Sequence, residues 1–204
     1  MSSRDIPWQR WRRLQPALVS DCQERSGAMD GRIRRFAGSS LCGPAYPVRT
    51  VAGDNRTLHL ALTQVPCGAV LVINAEGHLD RAVWGEVLTR AAQAAGVLGL
   101  VLDGAVRDVD AIASLDFPLF ARAANPAGPH KGWTGQIGGT ISCGGVVVAE
   151  GDVVLGDGDG IVVVPRERAA KVLEAAEDRA EKEQRWLRRI ADGESTADIF
   201  GFTR

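Results

Sequence analysis

Two short apolar runs, Ala69-Val70-Leu71-Val72-Ile73 and Gly99-Leu100-Val101-Leu102, constrain this chain more than any other feature. A strand with one face in water alternates apolar and polar residues. A run without alternation therefore predicts a strand covered on both faces, as in a parallel sheet layered with helices. Between the runs, the spacing of Val87, Leu88, Ala91, Ala92 and Ala95 predicts a helix that begins near Trp84, buries those residues as a stripe and stops at Gly96. Strand, helix and strand make a β-α-β unit with a right-handed crossover, so the fold class is α/β.

The flanking segments extend that reading. Pro16 to Met29 predicts a helix carrying Ala17, Leu18 and Cys22, and Cys42 to Val51 an extended segment interrupted by Gly43, Pro44 and Pro47. From Gly132 to Pro165, Val/Ile runs alternate with glycine-containing turns, which predicts several short strands. Residues 167–190 read as one helix with Val172, Leu173, Ala176, Ala180, Leu187 and Ile190 as its apolar stripe, closed by Asp192-Gly193. The organisation expected is an N-terminal arm over residues 1–15, one domain over 16–190 and a tail over 191–204. In the arm, Trp8 and Trp11 alternate with Arg10, Arg12 and Arg13, a pattern that suits an amphipathic arm packing on a neighbour better than a surface-binding segment.

Charge and cysteine usage narrow the function classes. With 24 Lys+Arg against 25 Asp+Glu the net charge is -1, so no overall basic field attracts nucleic acid or anionic lipid. No apolar run approaches the roughly 18 residues of a membrane span, and the four cysteines show no C-x-x-C spacing. Reduced thiols and a cytoplasmic setting are expected. Small-molecule chemistry is the better starting point.

The second run leads into Asp103-Gly104-Ala105-Val106-Arg107-Asp108, at the carboxyl end of a parallel strand where open α/β folds gather their ligands. Arg107 offers a planar fork of donors suited to a carboxylate, and Asp108 offers hard oxygens suited to Mg²⁺ or Mn²⁺. An arbitrary Arg-Asp pair is more often a surface ion pair in a turn. The preceding Gly85-Glu86-Val87-Leu88 strengthens the functional reading, because unpaired amides at a helix start form an anion site. Lys131 is the one lysine off the C-terminal helix, and its Gly/Pro-rich loop does not offer the apolar pocket that a Schiff-base lysine needs.

Taken in order, Gly53-Asp54-Asn55, Gly85-x-x-Leu88, Asp103 to Asp108, Asn125-Pro126-x-Gly128-Pro129-x-Lys131 and Gly156-Asp157-x-Asp159-Gly160 resemble the RraA-like family, and within it the 4-hydroxy-4-methyl-2-oxoglutarate aldolases. The resemblance spans about residues 16–185. It implies a β/β/α fold and a homotrimer or homohexamer with sites near subunit interfaces. It further implies a divalent metal, Mg²⁺ or Mn²⁺, held by Asp108, and a small 2-oxo acid substrate read by Arg107 and the amides of Gly85, Glu86, Val87 and Leu88. Arg107 and Asp108 would be the catalytic pair. Retro-aldol cleavage to pyruvate leaves an enolate that a metal can stabilise, and loss of carbon dioxide from oxaloacetate passes through the same enolate, so both activities are expected. Metal-activated water, Glu86 and Asp103 are alternative proton acceptors. The family also contains regulators of a ribonuclease that lack the aspartate after the arginine, so a non-catalytic binding protein is the alternative reading. This chain keeps Asp108.

Other signals carry less. Gly156 to Gly160 is too short for a calcium loop and is followed by Ile161 to Val164, which predicts a hairpin turn. His59, His78 and His130 show no metal-ligand spacing and read as structural or exposed. The paired glycines at 138–139 and 144–145 do not form a dinucleotide fingerprint.

Overall fold

The computed structural model describes residues 6–202. Helices α1 (Trp8–Trp11) and α2 (Pro16–Cys22) come first, followed by strands β1 (Arg34–Ala37) and β2 (Leu41–Arg49) and helix α3 (Arg56–Ala61). Strand β3 (Val70–Asn74), strand β4 (Ala82–Trp84), helix α4 (Glu86–Ala94) and strand β5 (Gly99–Val106) form the central unit. Helix α5 (Val109–Ala113), strands β6 (Leu119–Ala124), β7 (Gln136–Ile137), β8 (Thr140–Cys143), β9 (Val146–Ala149), β10 (Val153–Gly156) and β11 (Ile161–Val164), and helices α6 (Ala169–Ala191) and α7 (Thr196–Phe200) complete the chain.

The main sheet runs β1-β6-β5-β3-β2-β10-β11, with β4 added beside β5 and β7 beside β2. Strands β2, β3, β5 and β6 are parallel neighbours, with Leu71 opposite Leu100 and Val72 opposite Val101. This is the β-α-β unit read from the two apolar runs. Alternation explains why those runs are apolar throughout. Leu71, Ile73, Leu100 and Leu102 join Leu58, Trp84, Leu88 and Ala92 in a core beneath α3 and α4. Val70, Val72 and Val101 face the other way, onto Met29, Ile33, Ile141 and Val148. A separate β8–β9 hairpin lies on that second face, which gives the expected β/β/α layering.

Strand β2 curls the sheet by changing partners. Its first half pairs antiparallel with β10, and its second half pairs parallel with β3. The β10–β11 hairpin then faces a third cluster, in which Ile6, Trp11, Leu18 and Val19 meet Val172, Leu173 and Ala176. Arg10 pairs with Glu177 of α6 through Nε, at 2.8 Å, and Nη2. The described part of the arm thus packs on its own chain, and residues 1–5 lie outside the described residues.

Several boundaries differ from the sequence reading. Helix α2 stops at Cys22, because Glu24 and Arg25 turn with positive φ and the Gln23 amide nitrogen donates to Ser26 O and, across to β11, to Val163 O. Strand β5 continues to Val106, since β4 pairs with its last residues. Helix α4 begins at Glu86 rather than Trp84, and Val87 is 73% exposed instead of buried. In α6 the buried stripe ends at Ala176, and Leu187 and Ile190 are exposed. The tail contains α7, whose Phe200 ring meets Trp186 edge-on at 4.9 Å.

Candidate functional site

The site forms where β4 and β5 end side by side. Arg107 N donates to Trp84 O at 2.9 Å, so the residue after β5 is held against the last residue of β4. The Trp84 indole is buried and donates to Thr89 Oγ1 at 2.8 Å, and that hydroxyl donates to Gly85 O at 3.0 Å. These bonds fix the first turn of α4. The first amides of a helix have no intrahelical partner, and Thr89 N is the first here to close a turn, onto Gly85 O at 3.0 Å.

Asp108 meets that turn from the opposite side. Its Oδ2 accepts from Glu86 N at 3.1 Å and lies 3.5 Å from Arg107 Nε. A carboxylate at a helix N-terminus is stabilised by the helix dipole. Asp108 also starts α5 with φ at 59°, the left-handed region that aspartate tolerates better than most residues. Gly85 explains the close fit. A Cβ at Gly85 would lie 2.5 Å from Asp108 Oδ2 and 3.0 Å from Arg107 Cγ, so only glycine lets the pair rest on its backbone. Glu86 pairs with Arg90 one turn on.

A cleft of about 140 Å³ opens over this pair, lined by Gly85, Val87, Leu88, Arg107 and Asp108 and closed opposite by Asn55, His59, Pro129 and Lys131. Its size suits a small acid. The opposite wall is built from two of the sequence motifs. Buried Asp54 accepts from Arg56 N at 2.9 Å, from Gly132 N at 2.6 Å and from Trp133 N at 3.3 Å. Burial works to raise its pKa, and the three amides outweigh that, so its carboxyl sits below the ordinary range. Asn55 N and His130 N bond reciprocally to His130 O and Gly53 O, at 3.0 and 2.8 Å. At the loop's other end Asn125 Nδ2 donates to Leu79 O and Arg81 to Gly128 O, both at 3.0 Å.

Most of the residues singled out by sequence converge here: Gly85, Val87, Leu88, Arg107 and Asp108 line one cleft, and Glu86 contributes its amide to Asp108. Asp103 does not belong to it. It lies within β5 rather than in a turn, and its carboxylate is engaged by Arg122 Nε and by Gly144 N at 2.8 Å on the hairpin side. The Gly156 to Gly160 segment is the β10–β11 turn and is likewise absent from the cleft lining. Sequence reasoning missed Asn55 and His59. They lie four residues apart at the start of α3, a spacing that places both on one helix face, and this was the signal available. His59 has its pKa lowered by burial and then by the charge of Lys131.

The donors favour particular ions. Among the described residues no three His, Cys, Asp or Glu side chains converge as metal ligands. Magnesium and manganese bind through one or two carboxylates and fill their remaining positions with water and substrate oxygens, a donor set that Asp108 fits. A zinc site needs three or four protein ligands, which this cleft does not offer.

The RraA-like family model, described as Aldolase/RraA, matches residues 16–163, leaving α1 and α6 outside the match. A relative from Halalkalibacterium halodurans named "Putative 4-hydroxy-4-methyl-2-oxoglutarate aldolase" is 32% identical over 94% of this chain and 92% of its own. The crystal structure of an uncharacterized protein from Pseudomonas syringae pv. tomato superposes with a TM-score of 0.82 and 28% identity, covering 92% of this chain and 93% of that one. The RNA-processing inhibitor RraA from Thermus thermophilis gives a TM-score of 0.68 and 30% identity, over 74% of this chain and 92% of its own.

Proposed function

Because this chain belongs to the RraA-like family, we propose that it is a divalent-metal-dependent lyase cleaving 4-hydroxy-2-oxo dicarboxylic acids to pyruvate, with oxaloacetate decarboxylation as a side activity. The observation that carries this reading is the placement of Arg107 and Asp108 against the start of α4, in a cleft sized for a small acid. The similarity to the Halalkalibacterium halodurans relative supports the same chemistry.

In the retro-aldol step a base removes the proton of the C4 hydroxyl, the oxygen forms a C4 carbonyl and the C3–C4 bond breaks, so that the C4 fragment departs as a carbonyl compound. The electron pair passes to the 2-oxo group as an enolate, and protonation at C3 releases pyruvate. A Mg²⁺ or Mn²⁺ ion held here would supply positive charge to offset the negative charge of the enolate oxygen. Asp108 would hold that ion. Its Oδ2 is already engaged by Glu86 N and Arg107, while its Oδ1 takes no hydrogen bond from the described residues. Arg107 binds the substrate carboxylate through its fork of donors. The amides of Val87 and Leu88, at the positive end of α4, orient the neighbouring oxygens, since the amide of Glu86 is taken by Asp108. Neither side-chain candidate for the proton faces the cleft, since Asp103 is engaged by Arg122 and Gly144 and Glu86 pairs with Arg90, which leaves a water as the proton acceptor. The same family assembly, a homotrimer or homohexamer, is proposed for this chain.

The test is to strip the protein with EDTA, restore Mg²⁺ or Mn²⁺, and follow pyruvate from 4-hydroxy-4-methyl-2-oxoglutarate and oxaloacetate by a coupled dehydrogenase. Non-enzymatic decarboxylation is subtracted. Metal-dependent release that falls about 100-fold or more in Asp108→Ala is expected, since an ion contributes several kcal/mol of charge stabilisation. Release that survives both EDTA and the substitution would sink the reading. The similarity to the RNA-processing inhibitor favours a second reading, a binding protein that regulates a ribonuclease. Its binding would persist without metal and without Asp108.

A further inference from the structure

The cleft holds a second cation that the roles above leave unassigned. Lys131 Nζ lies 2.9 Å from Asn55 Oδ1 and 3.1 Å from His59 Nε2. An ammonium carries three N–H donors and no acceptor, so Lys131 donates in both contacts. His59 therefore accepts at Nε2 and carries its proton on Nδ1, and its lowered pKa fits a neutral ring. Both partners of Lys131 are neutral, and none of the ion pairs among the described residues involves it. Among the described residues its charge is uncompensated and its third donor unspent.

Arg107 differs in charge, because its guanidinium lies 3.5 Å from the Asp108 carboxylate. The two cations line the same cleft. Lys131 is exposed, yet its ammonium and its flanking backbone are held. Asp54 clamps the amides of the next two residues, and the backbone of His130 is paired with Gly53 and Asn55, so the ammonium is held before any ligand arrives. A preorganised charge costs little to order on binding. Two fixed cations in one small cleft, one partly neutralised and one not, match a ligand with anions at both ends.

Resting on the aldolase reading, we propose that Lys131, positioned by Asn55 and His59, anchors the second carboxylate of a dicarboxylic 2-oxo acid whose first carboxylate is bound by Arg107. Lys131 is then the residue that selects diacids over monoacids. The role requires the charged amine, so it replaces the Schiff-base role that a lone loop lysine invites.

Binding and turnover test this separately. With Mg²⁺ present, calorimetry compares 2-oxoglutarate with 2-oxopentanoate, acids of equal chain length that differ in the distal carboxylate. The wild-type chain is expected to prefer the diacid at least tenfold, which is about 1.4 kcal/mol, and Lys131→Met to bring the ratio near one. His59→Ala should erode the ratio and His59→Gln, which restores an acceptor, should retain it. A diacid preference that survives Lys131→Met, equal affinities in the wild-type chain, or binding of neither acid would each overturn the proposal. In turnover, 4-hydroxy-2-oxoglutarate is compared with 4-hydroxy-2-oxopentanoate, and the substitution is expected to raise KM for the diacid more than it lowers kcat. Failure to cleave either acid while the diacid preference in binding holds and depends on Lys131 would sink the aldolase reading and leave the anchor standing.

Discussion

At the scale of single residues, Gly85 and Asp108 define each other. Gly85 has extended backbone that any residue adopts, so the requirement for glycine is spatial: an added Cβ meets Asp108 Oδ2 at 2.5 Å. Gly85→Ala should therefore displace Asp108 and Arg107, lowering pyruvate release by about tenfold or more, with far-ultraviolet circular dichroism unchanged. Unaltered kinetics would mean that the pair is not held for chemistry. Asp108→Asn isolates the charge. Asparagine tolerates the left-handed backbone at φ 59° and still accepts from Glu86 N, so stability should stay within about 1 kcal/mol while metal-dependent release is lost. Urea unfolding beside the coupled assay reads both. Arg107 and Asp108 were legible in the sequence because they are adjacent and follow an apolar run. Asn55 and His59 were not, because their partner Lys131 lies more than seventy positions away and a lone histidine usually has a structural role.

At the scale of elements, two small assemblies hold the walls of the cleft. The chain of bonds from the Trp84 indole through Thr89 to Gly85 O fixes the start of α4. Thr89→Val keeps the shape and leaves a buried indole N–H unpaired, at a cost of about 1–3 kcal/mol. A shift of the urea midpoint of that size at constant m-value is the expected reading. Asp54 fixes the opposite wall. Its carboxyl sits below the ordinary range, so its contribution is present above the unfolded value, near 3.9, and is lost as pH falls through the lower folded value. Amide exchange at Gly132 and Trp133 should accelerate below about pH 4 before the sheet unfolds, and Asp54→Asn should move that loosening to neutral pH. Simultaneous exchange of loop and sheet amides would contradict it. The elements themselves were legible from periodicity, but their ends were not. Val87 fits the helical stripe and still lies exposed at the cleft, and Ala91 is exposed with it, so of the stripe within α4 only Leu88 and Ala92 face the core.

For the molecule as a whole, the curled sheet places α6 against the β10–β11 hairpin and the N-terminal segment against α6. Helix α6 is uniform in pattern and divided in environment. Val172, Leu173 and Ala176 are buried, whereas Leu187 is 57% exposed and Ile190 42%. Sequence spacing assigned all of them to one apolar stripe, since periodicity reports which side of a helix a residue occupies and not whether anything lies opposite. The hairpin and α2 lie opposite the first half, and the second half runs past them. Removing a side chain from each half should therefore have unequal consequences. Leu173→Ala takes a leucine from a packed cluster and should cost about 2–5 kcal/mol. Leu187→Ala removes surface that water already reaches and should change the unfolding free energy of the isolated chain by less than about 0.5 kcal/mol. Urea denaturation at low protein concentration compares them directly. Equal losses would mean that the far half of α6 is covered within the chain, in conflict with its exposure; a loss for Leu187→Ala that grows with protein concentration would place that half in contact between copies.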